Sequence, residues 1–327
     1  IILAENSFGN FHIANKPVVI IIGAGFAGLA AAYQLRKRNM DVIVLESRKR
    51  IGGRVHSYTI DQKENLVIEL GAEWVGYSHT RIHELCEEFS IKLENNQFDT
   101  HLIYKGEYTK KKKTHFTEEW YSKFEQLKEN FRTLPDSDKE KLDQLDWWRY
   151  LVNNGCKDRD LDLHELADST DFGESIRHVS AYAAMSEYAE SSDKNEMDEK
   201  MKGGNSQLAF KLADKIGKGN IHLDHRVDLI EQDPNGGVKV HCSNGKVFSG
   251  DKIICTIPTF AAMKIKWDPG LPELQLSAMN QLQYARINKN PLVFNRRFWN
   301  DESFDMITDQ TPHYFYHATK NQKSTKG

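Results

Sequence analysis

Near the amino terminus, short apolar runs alternate with a helical spacing of apolar and polar positions. The run Val18–Ile22 is continuously apolar and leads into a glycine-rich turn. A helical pattern then covers residues 29–38, and a second apolar run covers residues 42–45. Strands buried in a parallel sheet are apolar on both faces, whereas the helix that covers them is apolar on one. The order therefore predicts a βαβ unit.

The turn after the first strand reads GAGFAG and begins at Gly23. Gly23 permits a tight turn, Gly25 lets backbone N–H groups approach a pyrophosphate, and Gly28 lets the helix lie close to the sheet. Glu46 ends the second run, 18 residues after Gly28, where a carboxylate can bind ribose hydroxyls and repels a 2′-phosphate. The pattern predicts a dinucleotide site that disfavours NADP. A glycine-rich turn in an ordinary α/β protein is the alternative.

A basic turn follows Glu46 directly. It contains a glycine pair and three arginines, namely Arg48, Arg50, Gly52, Gly53 and Arg54. A second backbone loop with a fixed cation suits a pyrophosphate that is buried at full length. A nicotinamide cofactor does not need this loop, so the turn favours flavin adenine dinucleotide (FAD). A solvated basic loop remains an alternative, because Lys49 extends the run of charge.

Beyond this unit the pattern changes twice. Residues 66–70 predict a strand, residues 80–89 an amphipathic helix, and residues 98–108 two strand segments around a turn. From about residue 117 to residue 201 the chain is polar with intermittent apolar contacts. This stretch predicts a helical insertion, which ends in a mobile connector at residues 190–200.

After the insertion, β structure returns. A helix is predicted for Ser206–Ile216, and short strands separated by turns are predicted for residues 221–223, 227–231, 238–242, 246–248 and 252–257. Tight glycine turns between short antiparallel strands predict a meander that is inserted in the parallel sheet. A further apolar run occupies residues 291–294.

Composition narrows the class of protein. The 327 residues are 39% hydrophobic and 28% charged, which suits two domains or one large domain with an insertion. A formal net charge of −3 gives no case for nucleic acid. No apolar stretch approaches the roughly 20 residues that span a bilayer. The four scattered cysteines favour a reduced, cytoplasmic protein, and His79 and His83 lack an obvious third ligand, so no metal is expected.

Five sequence blocks, read together, resemble one enzyme family. They are IIGAGFAGLAAAYQL to LESRKRIGGR, ELGAEWVGYSHTRIHEL, KGGNSQLAFKLAD, IICTIPTFAAMKIKWDPGLP and INKNPLVFNRRFW. In this order, from residue 18 to about residue 299, they resemble the flavin-containing monoamine oxidase family. The first block is shared by many flavoproteins, and the last two are more specific. Residues 110–201 match little.

The resemblance implies a set of FAD-binding residues. They are Gly23, Gly25, Ala27, Gly28, Glu46, Arg48, Gly53, Arg54, Gly71, Ala72, Glu73, Trp74 and Val227. The glycine turn and the arginines would face the diphosphate, Glu46 the ribose, and the backbone of Val227 the adenine edge. Residues 71–74 would run beside the flavin ring.

The resemblance also implies a catalytic lysine. Lys289 precedes Phe298 by nine residues and matches the family lysine that holds a water near flavin N5. Burial would disfavour its charged form, so we expect a neutralised amine that orients water. An exposed lysine at a strand start is the alternative. The implied reaction is hydride transfer from a neutral amine to flavin N5, with O₂ reduced to hydrogen peroxide and the imine hydrolysed to an aldehyde.

The substrate class stays open between alternatives. Amino-acid oxidases of this kind place an arginine beside the flavin for the substrate carboxylate, whereas this chain has Glu73 and Trp74 there and Arg81 on the next helix. This favours a small amine without a carboxylate. Glu73 could face a second amino group of the substrate, although a side chain turned elsewhere is the preferred interpretation. An L-amino-acid oxidase, another flavin oxidoreductase and a non-catalytic FAD-binding protein are the other hypotheses.

The expected architecture is an α/β fold with a Rossmann-like FAD-binding parallel sheet and β-meander, plus a substrate domain with a mixed sheet and a helical insertion. Residues 17–80 and 201–260 would form the FAD-binding domain, and residues 81–200 and 261–327 the substrate domain. The resemblance implies a further C-terminal part after Gly327, so we expect an incomplete substrate domain. The expected partners are an amine and O₂, with a homodimer as an open option.

Overall fold

The structure is a computed structural model that describes residues 16–110, 114–190, 199–234 and 236–327. Its strands are, in chain order, β1 (Val18–Ile22), β2 (Asp41–Leu45), β3 (Ser57–Asp61), β4 (Leu66–Glu69), β5 (Leu93–Asn95), β6 (Asp99–Tyr104), β7 (Glu107–Thr109), β8 (Glu199–Met201), β9 (Ile221–His222), β10 (Val227–Gln232), β11 (Val238–Cys242), β12 (Val247–Gly250), β13 (Lys252–Cys255), β14 (Lys266–Asp268), β15 (Phe304–Thr308) and β16 (Tyr314–Tyr316). Its helices are α1 (Phe26–Lys37), α2 (Thr80–Glu88), α3 (Glu118–Thr133), α4 (Asp136–Lys141), α5 (Trp147–Asn153), α6 (Asp158–Phe172), α7 (Ala181–Glu190), α8 (Ser206–Ile216), α9 (Thr259–Ala262) and α10 (Glu273–Gln281).

The predicted βαβ unit is present at the amino-terminal end of the described chain. β1 pairs in parallel with β2 on one side and with β13 on the other, and β9 extends the sheet beyond β2. The side chains of Ile20 and Ile21 point to opposite faces of β1, and both are fully buried. α1 and α8 cover one face, and the meander covers the other. Apolar contact on both faces explains the unbroken apolar run.

The predicted meander is also confirmed. β10, β11 and β12 pair antiparallel in sequence order, and β14 adds to β10 in parallel. The first hairpin turns through Gly236 and Gly237, both with positive φ angles that favour glycine. β13 then returns beside β1, so the meander is inserted between two strands of the parallel sheet.

A mixed sheet forms the second layer of β structure. β6 pairs in parallel with β15, and β7 and β16 flank this pair antiparallel. β6 comes from the segment at residues 81–200 and β15 from the segment at residues 261–327. The pairing therefore joins the two stretches assigned to the substrate domain, whose boundaries remain a prediction. Leu102 of β6 packs against Leu163 and Leu166 of α6.

The helical insertion has its own core. α3, α5 and α7 pack against one another, and the core between them contains Phe131 of α3 and Trp147 of α5, both fully buried. Asp168 of α6 accepts hydrogen bonds from the Trp147 indole at 2.5 Å and from His164 at 2.9 Å, so this core contains a paired polar network. Packing in this core accounts for these aromatic residues.

The structure adds detail at two stretches that the sequence analysis singled out. Most of the connector predicted at residues 190–200 lies outside the described residues, but its end forms β8, which pairs with β5. The apolar run at residues 291–294 has no regular secondary structure, and Leu292 is 69% exposed. Pro291 lacks an N–H donor, and the stretch pairs with no strand among the described residues.

Three further findings concern the cysteines, possible metal ligands and possible membrane-spanning helices among the described residues. The cysteine thiols carry no disulfides, and burial raises the pKa of Cys86 to about 11 and that of Cys156 to about 12. No group of three potential metal ligands occurs in the described part of the chain. None of the described helices has the length and apolar character needed to cross a membrane.

Candidate active site and cofactor site

The glycine turn, residues 23–28, joins β1 to α1 by very close backbone packing. A Cβ at Gly28 would lie 1.9 Å from the carbonyl oxygen of Gly23, so only glycine fits. Gly23 has a φ of 103°, which also favours glycine. Gly25 caps α1 and provides no side-chain acceptor, which leaves the first N–H groups of the helix available to an anion.

The basic turn after β2 meets the glycine turn through backbone atoms. The N–H of Gly52 donates to the carbonyl of Ala24 at 2.8 Å. A Cβ on Gly53 would lie 3.0 Å from the Cα of Gly25. The two loops that the sequence predicted to approach one pyrophosphate are therefore in direct contact with each other.

Glu46 holds these loops in place. Its carboxylate is 7% exposed and accepts hydrogen bonds from the backbone N–H of Ala24 at 2.8 Å and of Arg48 at 2.8 Å. A carboxylate has lone pairs left after two such bonds, so the predicted ribose contact is chemically compatible with this arrangement. The structure adds a second role, because the same side chain fixes the glycine turn.

Positive charge surrounds the same turn. The pKa of Arg50 is lowered by burial and by the neighbouring charge of Arg48. Burial and these two arginines also lower the pKa of His56. Arg48 and Arg54 are exposed. Neighbouring positive charges repel one another, and a bound polyanion would neutralise them. The positive charge at this turn is therefore compatible with a bound diphosphate.

The segment at residues 71–74 starts beside the basic turn. The N–H of Ala72 donates to the carbonyl of Arg54 at 3.1 Å, and a Cβ at Gly71 would lie 2.0 Å from that same oxygen. Asn205, which precedes α8, donates from its side chain to the carbonyl of Glu73 at 2.7 Å. Two neighbours thus fix the backbone of this segment.

The lysine cluster, which we define as Glu73, Trp74, Lys289 and Tyr316, lies at the end of this segment. Lys289 Nζ donates to Glu73 Oε2 at 3.1 Å and to the carbonyl of Glu69 at 3.5 Å. Its ammonium is 5.1 Å from the Trp74 ring centroid and 5.6 Å from that of Tyr316. Lys289 therefore forms an ion pair with one carboxylate and cation–π contacts with two aromatic rings.

Buried charges surround the lysine cluster. Burial raises the pKa of Glu69, whose carboxylate accepts from the N–H of Asn205 at 2.8 Å. Burial lowers the pKa of Lys200, while nearby glutamates oppose that effect. Burial and the Glu73 carboxylate raise the pKa of Tyr316 well above its usual value, because its hydroxyl donates to Glu73 Oε2 at 2.7 Å.

Two predictions about side chains in this region need correction. Lys289 is half-buried in an ion pair, so the geometry does not support an isolated neutral amine. It is also neither an exposed residue nor a strand start. The Glu73 side chain is not turned away from the site, since it is 1% exposed and contacts the lysine. Its Oε2 atom is occupied by hydrogen bonds from Lys289 and from the Tyr316 hydroxyl.

The remaining predicted residues take less central positions. Ala27 is exposed on the first turn of α1. Val227 begins β10 and is buried opposite Cys242. The neighbouring N–H of His225 donates to the carbonyl of Glu46 at 2.8 Å, which brings the start of β10 to the carboxyl end of β2.

Sequence reasoning missed three residues of the site. Tyr316 lies in a stretch for which the sequence analysis predicted no strand, yet the aromatic run Tyr314–Tyr316 forms β16. That run of aromatic residues is the signal that could have identified a strand. Asn205 and Lys200 carried no signal, because their contacts come from residues far away in sequence.

The described residues fit FAD. The uncapped start of α1, the contacting glycine loops and the arginines suit a diphosphate, and the rigid 71–74 segment continues from them toward Lys289.

Comparisons with known proteins show which family the chain belongs to. The family model described as flavin containing amine oxidoreductase matches residues 26–326. "Probable flavin-containing monoamine oxidase A" of Dictyostelium discoideum is 26% identical over 90% of this chain and 69% of its own length. "Polyamine oxidase 3" of Oryza sativa subsp. japonica is 26% identical over 97% of this chain and 69% of its own.

A solved structure shows the same fold. Putrescine oxidase bound to putrescine superimposes with a TM-score of 0.80 at 22% identity, covering 96% of this chain and 74% of that one. The Rossmann-like sheet and the mixed sheet therefore form the two-domain α/β architecture of flavin-dependent amine oxidases. The chain belongs to the flavin-containing amine oxidoreductase family. Its cofactor is FAD, and its class is that of oxidoreductases acting on CH–NH₂ or CH–NH donors.

Proposed function

We propose that this chain oxidises a small amine that carries no carboxylate. The products are hydrogen peroxide from O₂ and, after hydrolysis of the imine, an aldehyde. The position of Lys289 carries the proposal, since its ammonium contacts the segment at residues 71–74 that the family resemblance assigns to the flavin side. FAD, when bound, supplies the two-electron acceptor for the amine and the route of electrons to O₂.

In this proposal the residues of the chain bind the cofactor and orient a water molecule. The glycine turn and Arg48 hold the diphosphate, and Glu46 holds the ribose while it fixes the turn. Trp74 and Tyr316 provide apolar faces that keep bulk water away from Lys289. Lys289 donates hydrogen bonds and so can fix one water molecule beside the reacting atoms.

The charges around the lysine cluster support a substrate without a carboxylate. The carboxylate of Glu73 lies in contact with Lys289, and a carboxylate on the substrate would be repelled by it. Arg81 is the nearest arginine along the chain after residue 74, and it forms a surface ion pair with Glu84 at 2.5 Å. It is 54% exposed there and is not available as a buried carboxylate ligand.

A peroxide-release assay with purified, FAD-loaded protein tests the proposal. Monoamines, diamines, polyamines and L-amino acids are compared, and anaerobic substrate should bleach the oxidised flavin absorbance. Amines should be turned over and amino acids should not. Turnover of amino acids alone would favour an L-amino-acid oxidase. An unbleached spectrum with every compound would contradict the proposal and favour a non-catalytic FAD-binding protein.

The variant Lys289→Met tests the role of the lysine. It should lower kcat/KM by about a hundredfold, as expected for loss of a group that positions the reacting proton or water. Lys326→Met is the matched control, because Lys326 also forms an ion pair, with Asp61, but lies outside the lysine cluster. Equal rates for the two variants would exclude a special role for Lys289.

A further inference from the structure

The position of Lys289 is not determined by its own stretch of backbone. Residues 281–288 are all exposed, and the chain from residue 282 to residue 303 has no regular secondary structure. Lys289 is the first half-buried residue after this exposed stretch. A long, flexible side chain on such a segment loses considerable entropy when it is held in one place, so side-chain partners must fix it.

Glu73 is the partner that forms an ion pair with Lys289. Its carboxylate is 1% exposed, and its Oε2 atom accepts from Lys289 Nζ at 3.1 Å and from the Tyr316 hydroxyl at 2.7 Å. The backbone of Glu73 is fixed in turn by Asn205. The carboxylate is therefore a rigid anchor, whereas the lysine it holds comes from an irregular segment.

The pair is also needed for charge balance. Within the described residues, Lys289 is the cation in ion-pair contact with Glu73, and Lys200 is the other buried ammonium nearby. Glu73 Oε1 is buried without a hydrogen-bond partner among the described residues, and Glu73 and Lys200 line a small cavity of about 10 Å³. A buried carboxylate that lost Lys289 would be left with one tyrosine hydroxyl, which is a costly arrangement.

We infer that Glu73 is a positioning residue, which holds Lys289 as an ammonium in one orientation and acts on the reaction through it. The inference rests on the proposed function for its effect on rate, but the ion pair itself can be tested without turnover. Glu73 differs in this role from Gly71 and Ala72, which contribute through backbone geometry.

The first experiment measures the reactivity of Lys289 and needs no substrate. Folded wild type, Glu73→Gln and Asp305→Asn are acylated under identical conditions, and labelling of Lys289 is followed by peptide mass spectrometry. Loss of the carboxylate should raise the labelling rate of Lys289 by about tenfold, since the amine is no longer held in the ion pair and becomes more accessible to the reagent. Asp305 is a matched control, because it is also buried and accepts from a tyrosine, Tyr314, at 2.7 Å.

The second experiment is a double-mutant cycle on kcat/KM with Glu73→Gln, Lys289→Met and the double variant. Glu73→Gln should lower the rate by up to about a hundredfold in the wild-type background and have little effect once Lys289 is methionine. Glu73→Asp, which keeps the charge, should restore part of the loss. Asp305→Asn should have the same small effect in both backgrounds.

The outcomes separate this inference from the proposed function. Unchanged labelling of Lys289 in Glu73→Gln, or equal rate losses in both backgrounds, would overturn the inference while amine oxidation could still stand. Labelling that rises as expected in a protein that oxidises no amine would contradict the proposed function and support the anchoring of Lys289 by Glu73.

Discussion

The glycine turn and the lysine cluster bind charge with different parts of the chain. The turn presents backbone N–H groups from residues 23–28, which are continuous in sequence and held by contacts as close as that of Gly28 with Gly23. The cluster consists of side chains from residues 73–74, 289 and 316, three distant stretches. A backbone site tolerates almost no added atom, whereas a side-chain site can lose one group and keep its shape.

The largest effect should come from filling the glycine turn. Gly28→Val would place atoms within 1.9 Å of the Gly23 carbonyl, so it should lower the free energy of unfolding by about 3 kcal/mol or more and abolish FAD retention. Chemical denaturation and flavin absorbance of the purified protein check this. Gly219→Val is the control, since a Cβ there meets nothing within 4 Å. Equal loss in both variants would contradict the packing argument.

A smaller effect is expected when the carboxylate behind the turn is removed. Glu46→Ala leaves the buried N–H of Ala24 without its acceptor, which should cost about 1–3 kcal/mol of unfolding free energy and weaken FAD binding. Glu46→Gln retains one acceptor oxygen and should lose less. Denaturation curves of the FAD-free proteins separate the structural part from the ribose contact. If Glu46→Ala is as stable as wild type, the glycine turn does not depend on the Glu46 carboxylate.

The lysine cluster should respond more weakly to a comparable deletion. Tyr316→Phe removes one donor from Glu73 while Lys289 still pairs with it, so we expect a loss of about 1.5 kcal/mol in unfolding free energy and an intact fold. Tyr58→Phe, at a 53% exposed position, should be neutral. A collapse like that of Gly28→Val would mean that the cluster is as intolerant as the turn.

The smallest effect should be a pH dependence next to the cluster. Burial and the charge of Arg297 lower the pKa of His317. Its Nδ1–H donates to the carbonyl of Glu302 at 3.3 Å, so Nε2 of the neutral ring accepts from the Thr319 hydroxyl at 3.0 Å. The folded pKa lies below the ordinary value of about 6.5. The contribution of neutral His317 to the free energy of unfolding is therefore fully present above about pH 6.5 and is lost as the pH falls through the folded pKa.

Unfolding midpoints of wild type and His317→Gln at pH 7, 6 and 5 check this expectation. The variant should lose less stability than wild type between pH 7 and pH 5. His313→Gln, at an exposed position, should follow wild type throughout. Parallel curves for all three proteins would show that His317 does not titrate in this range.

The comparison also explains which predictions succeeded. β1, α1 and β2 were predicted within a few residues, because apolar periodicity and three glycines determine them locally. The strand that contains Tyr316 was missed, because β16 exists through pairing with β15, and β15 through pairing with β6 some 200 residues earlier. Pairing at that distance leaves only a weak trace in local sequence.

The amino-acid sequence by itself determined the βαβ unit, the position of the glycine turn and the family to which the chain belongs. The reason is that backbone geometry around glycine depends on neighbours in sequence, and these are visible in a single chain. Only the tertiary structure decided that Glu73 faces Lys289 and that the lysine is paired rather than isolated. The charge state of a buried amine depends on the carboxylate and aromatic rings that folding brings to it, and sequence distance gives no measure of that.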